Sequence, residues 1–246
     1  MLLTLAACCR AVPPLVTGDV PTAERGVMEL FLGAINRVSS SQDEELQLPW
    51  VEIVYGITDR QEITLEVPYV RCDPRSGDSV EGLGDFVVGT KFLLGPTKAD
   101  GLNYAMSVEL KLDNADWEEG LGTGARDLDL RLRAQRDVGR NEFIYNLGYT
   151  VVGDPRTPTG CAEARNVLYW ATAFCRKVSD RTTLSAELYG SENSEPRGDH
   201  RFAFNFGLKH RTGERQWVHV AWGRSLRGDC TGGPRSRLYV GTKMEF

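Results

Sequence analysis

The chain has 246 residues and a formal net charge of −5, with acidic and basic residues mixed along its length. It therefore lacks the basic patch that nucleic-acid binding requires. No stretch approaches the roughly 20 consecutive apolar residues of a membrane-spanning helix, which excludes that class of membrane protein. Apolar residues make up 41%, a share that fits a soluble domain or a membrane barrel, because a polar lumen and polar loops lower the average of a barrel.

Residues 1–25 show no strand pattern. The first nine, MLLTLAACC, are apolar and end in small residues, which resembles the end of a secretory signal that lacks its basic start. Leu5-Ala6-Ala7-Cys8 also resembles a lipoprotein cleavage box, and a disordered tail is the third interpretation. We assign residues 1–25 to a residual signal or N-terminal segment and residues 26–246 to one β-barrel domain.

From residue 27 onward, short stretches alternate between apolar and polar residues. This period of two predicts strands with one apolar and one polar face. Met106 and Leu110, for example, fall on one face of their stretch, and Glu109 and Lys111 fall on the other. The predicted strands cover residues 27–37, 47–57, 61–70, 84–94, 103–113, 126–136, 142–152, 167–177, 182–190, 201–210, 217–226 and 237–246.

The connections between these strands alternate between short and long. Residues 58–60 and 179–181 form tight turns of Ser, Thr, Asp and Arg, whereas residues 71–83 and 153–166 form long loops. All long loops then lie at one end of a barrel, as in outer-membrane barrels, which have an even number of strands and short periplasmic turns. We therefore predict an all-β fold, a transmembrane antiparallel up-and-down barrel of about twelve strands in the bacterial outer membrane.

The last strand places Val240 and Phe246 on its apolar face and Lys243 and Glu245 on its polar face. Pairing with the first strand would close the barrel and protect this edge. We expect the apolar face to meet lipid, so that an Arg at Val240 is costly and an Arg at Gly241 is milder unless Gly241 is needed for close packing. The aromatic residues expected to form girdles at the membrane interfaces are Trp50, Tyr69, Phe92, Tyr104, Phe143, Tyr149, Phe174 and Trp222.

The polar faces carry charges of both signs, which either pair across strands and fill the interior or select the solutes that enter a water path. Reflection about the turn at 58–60 places Glu52 opposite Glu66, and Lys91 is the cation expected between these two carboxylates. The predicted lumen-lining residues are Glu52, Glu66, Lys91, Glu109, Lys111, Asp127, Asp129, Arg131, Arg133, Arg201, Lys209 and Lys243.

The six cysteines form no pair with zinc spacing, so neither a metal nor a cofactor is expected. Cys72, Cys161 and Cys230 fall in predicted long loops, and our disulfide hypothesis pairs Cys161 with Cys230. No serine lies two residues after His210 or His219, as the phospholipase type of barrel enzyme would need, and we expect no catalytic residue.

Four motifs resemble those of the bacterial outer-membrane transporter family that is named for the MetA pathway of phenol degradation. The likeness runs from about Gly26 to Phe246 and depends on Tyr55-Gly56-Ile57-Thr58-Asp59-Arg60, Val67-Pro68-Tyr69, Gly82-Leu83-Gly84-Asp85-Phe86 and Gly89-Thr90-Lys91-Phe92-Leu93-Leu94. The resemblance implies a barrel that passes small, aromatic or hydrophobic molecules, with no catalytic residues. The expected partners are membrane lipid, a small solute and the barrel assembly machinery, which reads a terminal aromatic residue. The alternatives are a plugged structural or adhesive barrel without transport and, less favoured, a soluble β-barrel binding protein.

Overall fold

In the computed structural model, residues 14–39, 43–98, 101–195, 198, 200–227 and 234–246 are described. They contain no helix of the length and apolarity that crossing a membrane requires. The strands are β1 (Met28–Ser39), β2 (Glu44–Thr58), β3 (Gln61–Asp73), β4 (Val80–Leu83), β5 (Val87–Leu94), β6 (Leu102–Lys111), β7 (Asp127–Val138), β8 (Asn141–Val151), β9 (Arg156–Thr157), β10 (Gly160–Cys161), β11 (Val167–Lys177), β12 (Thr182–Ser191), β13 (Arg201–Arg211), β14 (Gln216–Arg227) and β15 (Pro234–Glu245).

Twelve of these strands form one closed wall, in which each strand pairs with its neighbours along the chain and β15 pairs with β1. The ladders are antiparallel, so the predicted up-and-down barrel is confirmed. The short hairpin of β9 and β10 lies in the connection between β8 and β11.

The predicted strand 84–94 is divided in the structure. Leu83 in β4 pairs with Tyr69, and Val87 in β5 pairs with Glu66, so the three residues 84–86 face only two residues of β3. This is the geometry of a β-bulge, in which an extra residue leaves the ladder and turns its side chain to a new direction. The bulge places Asp85 at the long-loop end of the barrel, beside Ala115 and Thr123.

The exterior of the barrel is apolar and the interior is charged. On β7, Leu130 and Leu132 are 42% and 47% exposed, while the alternating Arg131 and Arg133 are 1% and 5% exposed. A soluble barrel would bury the leucines and expose the arginines, because water solvates charge and excludes apolar surface. The exposed apolar face therefore fits a lipid environment.

Trp50 does not belong to an interfacial girdle, so this part of the prediction was wrong. It shares the inward face of β2 with Glu52, is 4% exposed and contacts the Tyr239 ring edge-on at 5.9 Å between centroids. Tyr69 and Phe92 are half-buried on the outer face, since each alternates with inward residues of its strand. The other five predicted girdle residues are exposed: Tyr104, Phe143, Tyr149, Phe174 and Trp222.

Cys72 lies within β3 rather than in a loop, because β3 continues to Asp73, and its side chain is 6% exposed. Cys161 is exposed in β10, and neither Cys72 nor Cys161 forms a disulfide with another of the described cysteines. Cys8, Cys9 and Cys230 lie outside the described residues, so the pairing of Cys161 with Cys230 stays a prediction.

Candidate functional site

Residues 14–25, hereafter the lumen segment, extend into the barrel, and residues 14–18, Val20 and Ala23 are buried there. They enter beside the short-turn end, where Gly26 donates its backbone N–H to the Gly56 carbonyl at 2.8 Å. Farther along the segment, Val16, Thr17 and Val20 are 4%, 2% and 2% exposed. The segment therefore occupies space that a water-filled channel would leave open.

Glu187 of β12 holds the segment near the middle of the barrel. Its two carboxylate oxygens accept the backbone N–H groups of Val16 and Thr17, each at 2.7 Å. One of them also accepts the Thr17 hydroxyl at 2.6 Å, and Asn205 Nδ2 donates to the other at 2.5 Å. Four donors thus solvate a carboxylate that is 3% exposed, and charge-assisted bonds of this kind are stronger than neutral ones.

The rest of the segment is also held through its backbone. Gly18 N–H donates to Asn146 Oδ1 at 2.7 Å, and Asn146 Nδ2 donates back to the Gly18 carbonyl at 2.8 Å. Further wall contacts are Val20 N–H to Gln135 Oε1 at 3.0 Å, Ala23 N–H to Glu62 Oε2 at 2.7 Å, and Tyr169 Oη to the Val16 carbonyl at 3.2 Å. Wall side chains therefore satisfy backbone groups that have no strand partner.

Asp19 is the charged residue of the buried stretch. Its carboxylate lies 3.4 Å from Lys91 Nζ, and Arg133 Nη1 donates to its backbone carbonyl at 3.3 Å. A Cβ at the neighbouring Gly18 would lie 2.7 Å from Arg133 Cζ. Any side chain at position 18 would collide with the guanidinium, so this close approach to the backbone requires glycine.

Lys91 does not bridge Glu52 and Glu66, and that prediction was wrong. Glu52 and Glu66 are direct cross-strand partners, as expected, but Lys91 is the partner of Glu62 on β3. Its ammonium lies 3.0 Å from Glu62 Oε1 and binds Asp19 on its other side. The register of β5 beyond the bulge and the lumen segment together determine this pairing.

The twelve predicted lumen-lining residues all lie at inward positions. Nine are buried, and Arg201, Lys209 and Lys243 are half-buried. Many are paired across or along strands: Lys111 with Asp127 at 3.1 Å and with Asp85 at 3.4 Å, Arg131 with Asp129 at 3.0 Å, Arg133 with Glu109 at 3.5 Å, and Lys243 with Glu29 at 2.7 Å and with Glu245 at 2.9 Å. These contacts favour the interpretation that the charges pair and fill the interior.

At the short-turn mouth, three cations surround one indole. Lys209 Nζ, Arg211 Cζ and Lys243 Nζ lie 5.7, 5.7 and 5.2 Å from the centroid of the Trp217 ring, within cation–π range. His219, fully buried one inward position along β14, has its ring 6.2 Å from the Phe31 ring. His210 is exposed at the same end, beside Thr182.

A cavity of about 140 Å³ lies between the lumen segment and the wall. Its volume is that of a few water molecules or one very small solute. Asp19 and Ala23 of the segment contribute to its lining, and the charged wall residues around it are Glu29, Glu52, Glu62, Glu109, Lys91, Arg133, Lys209 and Lys243. The described residues hold no cluster of His, Cys, Asp or Glu that could bind a metal ion.

The connection 112–126, hereafter the outer loop, is fixed at the opposite mouth. Asp85 in the bulge accepts the backbone N–H groups of Ala115 and Thr123 at 3.1 and 3.2 Å. Arg126 Nε donates to Asp113 at 2.9 Å, and this bond holds the pKa of the half-buried Asp113 carboxyl below its usual range. The outer loop is therefore held close to the ends of β5, β6 and β7.

The lumen segment was missed in the sequence because it has no periodic pattern. A signal for it lies on the wall instead: Ala171, Ala173 and Gly207 are small residues at inward positions of β11 and β13. A Cβ at Gly207 would lie 2.9 Å from Pro14 Cγ and 3.1 Å from Leu15 Cδ2. Small inward residues leave room that something other than wall side chains must fill.

A closed antiparallel barrel with an apolar exterior, a charged lumen and an internal segment is a fold of the outer-membrane β-barrel class. Among solved structures, the COG4313 outer membrane channel from Pseudomonas putida F1 is similar, with a TM-score of 0.80, 16% identity and coverage of 96% of this chain and 100% of that chain. The KdgM porin has a TM-score of 0.58 at 10% identity, covering 88% of this chain and 99% of that one. The NanC porin has a TM-score of 0.59 at 11% identity, covering 88% and 98%.

No family model and no curated protein matches the sequence. At these identities the structural likeness shows the fold alone. The resemblance to the family of the MetA pathway therefore stays a prediction.

Proposed function

We propose that this protein is a passive channel of the bacterial outer membrane for small molecules, and that the lumen segment closes it in the structure described. The observation that carries the proposal is a polar lumen whose free space is filled by a separate segment rather than by wall side chains. Polar contacts hold that segment, and water can replace such contacts when the segment leaves. A lumen filled only by wall side chains would have no comparable route to opening.

The solved structures with a similar fold include an outer membrane channel and two porins, which supports transport. Small aromatic molecules are the solutes that the sequence resemblance implies. The inward rings of Phe31, Trp50 and Trp217 offer them apolar contacts within the charged lumen. Lipid around the apolar exterior and the assembly machinery of the outer membrane complete the proposed partners, and no catalytic step is part of the proposal.

Conductance in planar bilayers tests this function. The Glu187→Gln variant keeps the side-chain shape but removes the charge and one acceptor, so the segment should leave the lumen more often. Bonds to charged groups contribute about 1.5–3 kcal/mol each, so the open fraction should rise by about tenfold or more. Added aromatic solutes should then reduce the current.

Glu142→Gln is the matched control, because Glu142 lies at the short-turn rim beside Lys177 at 3.2 Å and has no contact with the segment. Its conductance should equal that of the unmodified protein. If Glu187→Gln conducts no better than Glu142→Gln, the lumen segment is not a gate.

A structural barrel with a permanent plug is the second candidate function. The number of bonds between the segment and the wall favours it, since each buried bond adds to the cost of withdrawal. If the plug is permanent, every variant with a substitution at a contact between the segment and the wall should stay closed. The same recordings therefore separate the two functions.

A further inference from the structure

We propose that the lumen wall is a binding site for an extended peptide, and that short peptides with apolar residues upstream of one carboxylate are a solute class of this channel. The lumen segment is then the tethered occupant of that site. The inference rests on the proposed channel function and names a solute class for it.

The wall recognises backbone rather than sequence. Glu187, Asn146, Gln135 and Glu62 accept the N–H groups of residues 16, 17, 18, 20 and 23. Arg133, Asn146 and Tyr169 donate to the carbonyls of residues 19, 18 and 16. Every residue except proline offers these same backbone groups, so a different peptide that keeps a glycine beside Arg133 could make the same bonds. Peptide-binding grooves formed by sheet edges obtain affinity from main-chain bonds in this way.

Two further features restrict the occupant. Leu15 packs in an apolar pocket formed by Ile144, Ala173 and Cys175, and Val16 packs against Tyr169 and Ala171. Four residues after Leu15, the Asp19 carboxylate lies 3.4 Å from Lys91 Nζ, and Arg133 donates to the Asp19 backbone carbonyl. A suitable peptide therefore carries a small or medium apolar pair, then a carboxylate three or four residues later.

The native Cys175 thiol gives a direct readout of occupancy. It is 6% exposed and lies in the pocket that Leu15 fills. In full-length protein with Cys8, Cys9, Cys72, Cys161 and Cys230 replaced by serine, a small charged thiol reagent should modify Cys175 only when the pocket empties. The loosened variant for this experiment carries Val16→Pro and Val20→Pro, which remove two N–H donors of the segment and leave the wall unchanged.

Cys175 in the loosened variant should react about tenfold faster than in the parent, as expected for the loss of a bond to a charged acceptor. A free decapeptide of residues 14–23 should slow the reaction again. An unrelated peptide, Ala-Leu-Ala-Ser-Gly-Asp-Ala, should do the same and should reduce the channel current. The same peptide with N-methyl groups on the third and fourth residues should do neither, because it lacks the two backbone N–H donors for Glu187.

Heat-modifiable gel mobility first establishes that the loosened variant is folded, and Val16→Pro alone serves if the double variant is not, because it removes the bond to the charged Glu187. If no peptide protects Cys175 at millimolar concentration, the peptide site is overturned. If the native decapeptide protects Cys175 but the unrelated peptide does not, short peptides are not a solute class of this channel. Conductance of the loosened variant without peptide is a separate readout. If this variant conducts but binds no peptide, only the peptide site is overturned. If it binds peptide but does not conduct, only the channel function is overturned.

Discussion

Gly241 lies on the inward face of β15 in a space that excludes any larger side chain. A Cβ there would lie 2.7 Å from Tyr239 Cζ and 2.8 Å from the Leu32 carbonyl oxygen. Gly241 is therefore needed for close packing. Under that condition Gly241→Arg is not expected to be milder than Val240→Arg. A test of which face meets lipid requires a different inward position.

Thr64 supplies that position, since it is half-buried and lines the cavity beside Glu52 and Glu62. Val240→Arg places a charge on a residue that is 46% exposed on the apolar exterior, and it should lower the free energy of unfolding by about 2–4 kcal/mol. Thr64→Arg enters a polar cavity with nearby carboxylates and should cost less. Urea unfolding in lipid vesicles, followed by tryptophan fluorescence, measures both. A larger loss for Thr64→Arg than for Val240→Arg would contradict the assignment of the two faces.

Among the elements, strands could be predicted from the sequence and the lumen segment could not. Strand identity is local: the period-two pattern and the turn residues between strands fix each ladder partner. The segment depends on contacts between residues 39 to 171 positions apart, such as Ala23 with Glu62 and Val16 with Glu187. Lys91 was assigned the wrong partners for the same reason, because Asp19 arrives from a distant part of the chain.

The outer loop is an element whose position depends on one side chain. Asp85→Asn removes a charge and one of the two oxygens that accept the N–H groups of Ala115 and Thr123, so the loop should detach more often. A protease specific for glutamate should then cut faster at the exposed Glu118 and Glu119 in vesicle-inserted protein. Gel analysis of the cleavage time course measures the rate.

Asp113→Asn is the control for the outer loop, because Arg126 of the Asp113–Arg126 pair is exposed and ion pairs at the surface contribute little stability. Its cleavage rate should stay near that of the parent. Equal rates for Asp85→Asn and Asp113→Asn would show that the bulge does not hold the loop.

At the scale of the whole molecule, the distribution of charge in the lumen determines which solutes an open barrel would admit. Once the lumen segment leaves, four wall carboxylates and four wall cations surround the space that is now the cavity: Glu29, Glu52, Glu62, Glu109, Lys91, Arg133, Lys209 and Lys243. Selectivity filters of ion channels instead concentrate one sign of charge at a constriction. A balanced lining fits a channel that admits solutes by size and contacts more than by charge.

We therefore expect the open Glu187→Gln channel to show a reversal potential near zero in a potassium chloride gradient. Lys209→Glu, added to this variant, exchanges a cation of the cavity for a carboxylate and should shift the reversal potential towards that of potassium. Lys177→Glu is the control, since Lys177 is exposed at the rim beside Glu142 and should leave the potential nearly unchanged. Strong ion selectivity of the open channel before Lys209 is changed would show that charges outside the cavity control permeation. In that case the narrowest point would lie elsewhere, and the outer loop would be the element to examine, because it lies at the other mouth beside the Lys111–Asp127 pair.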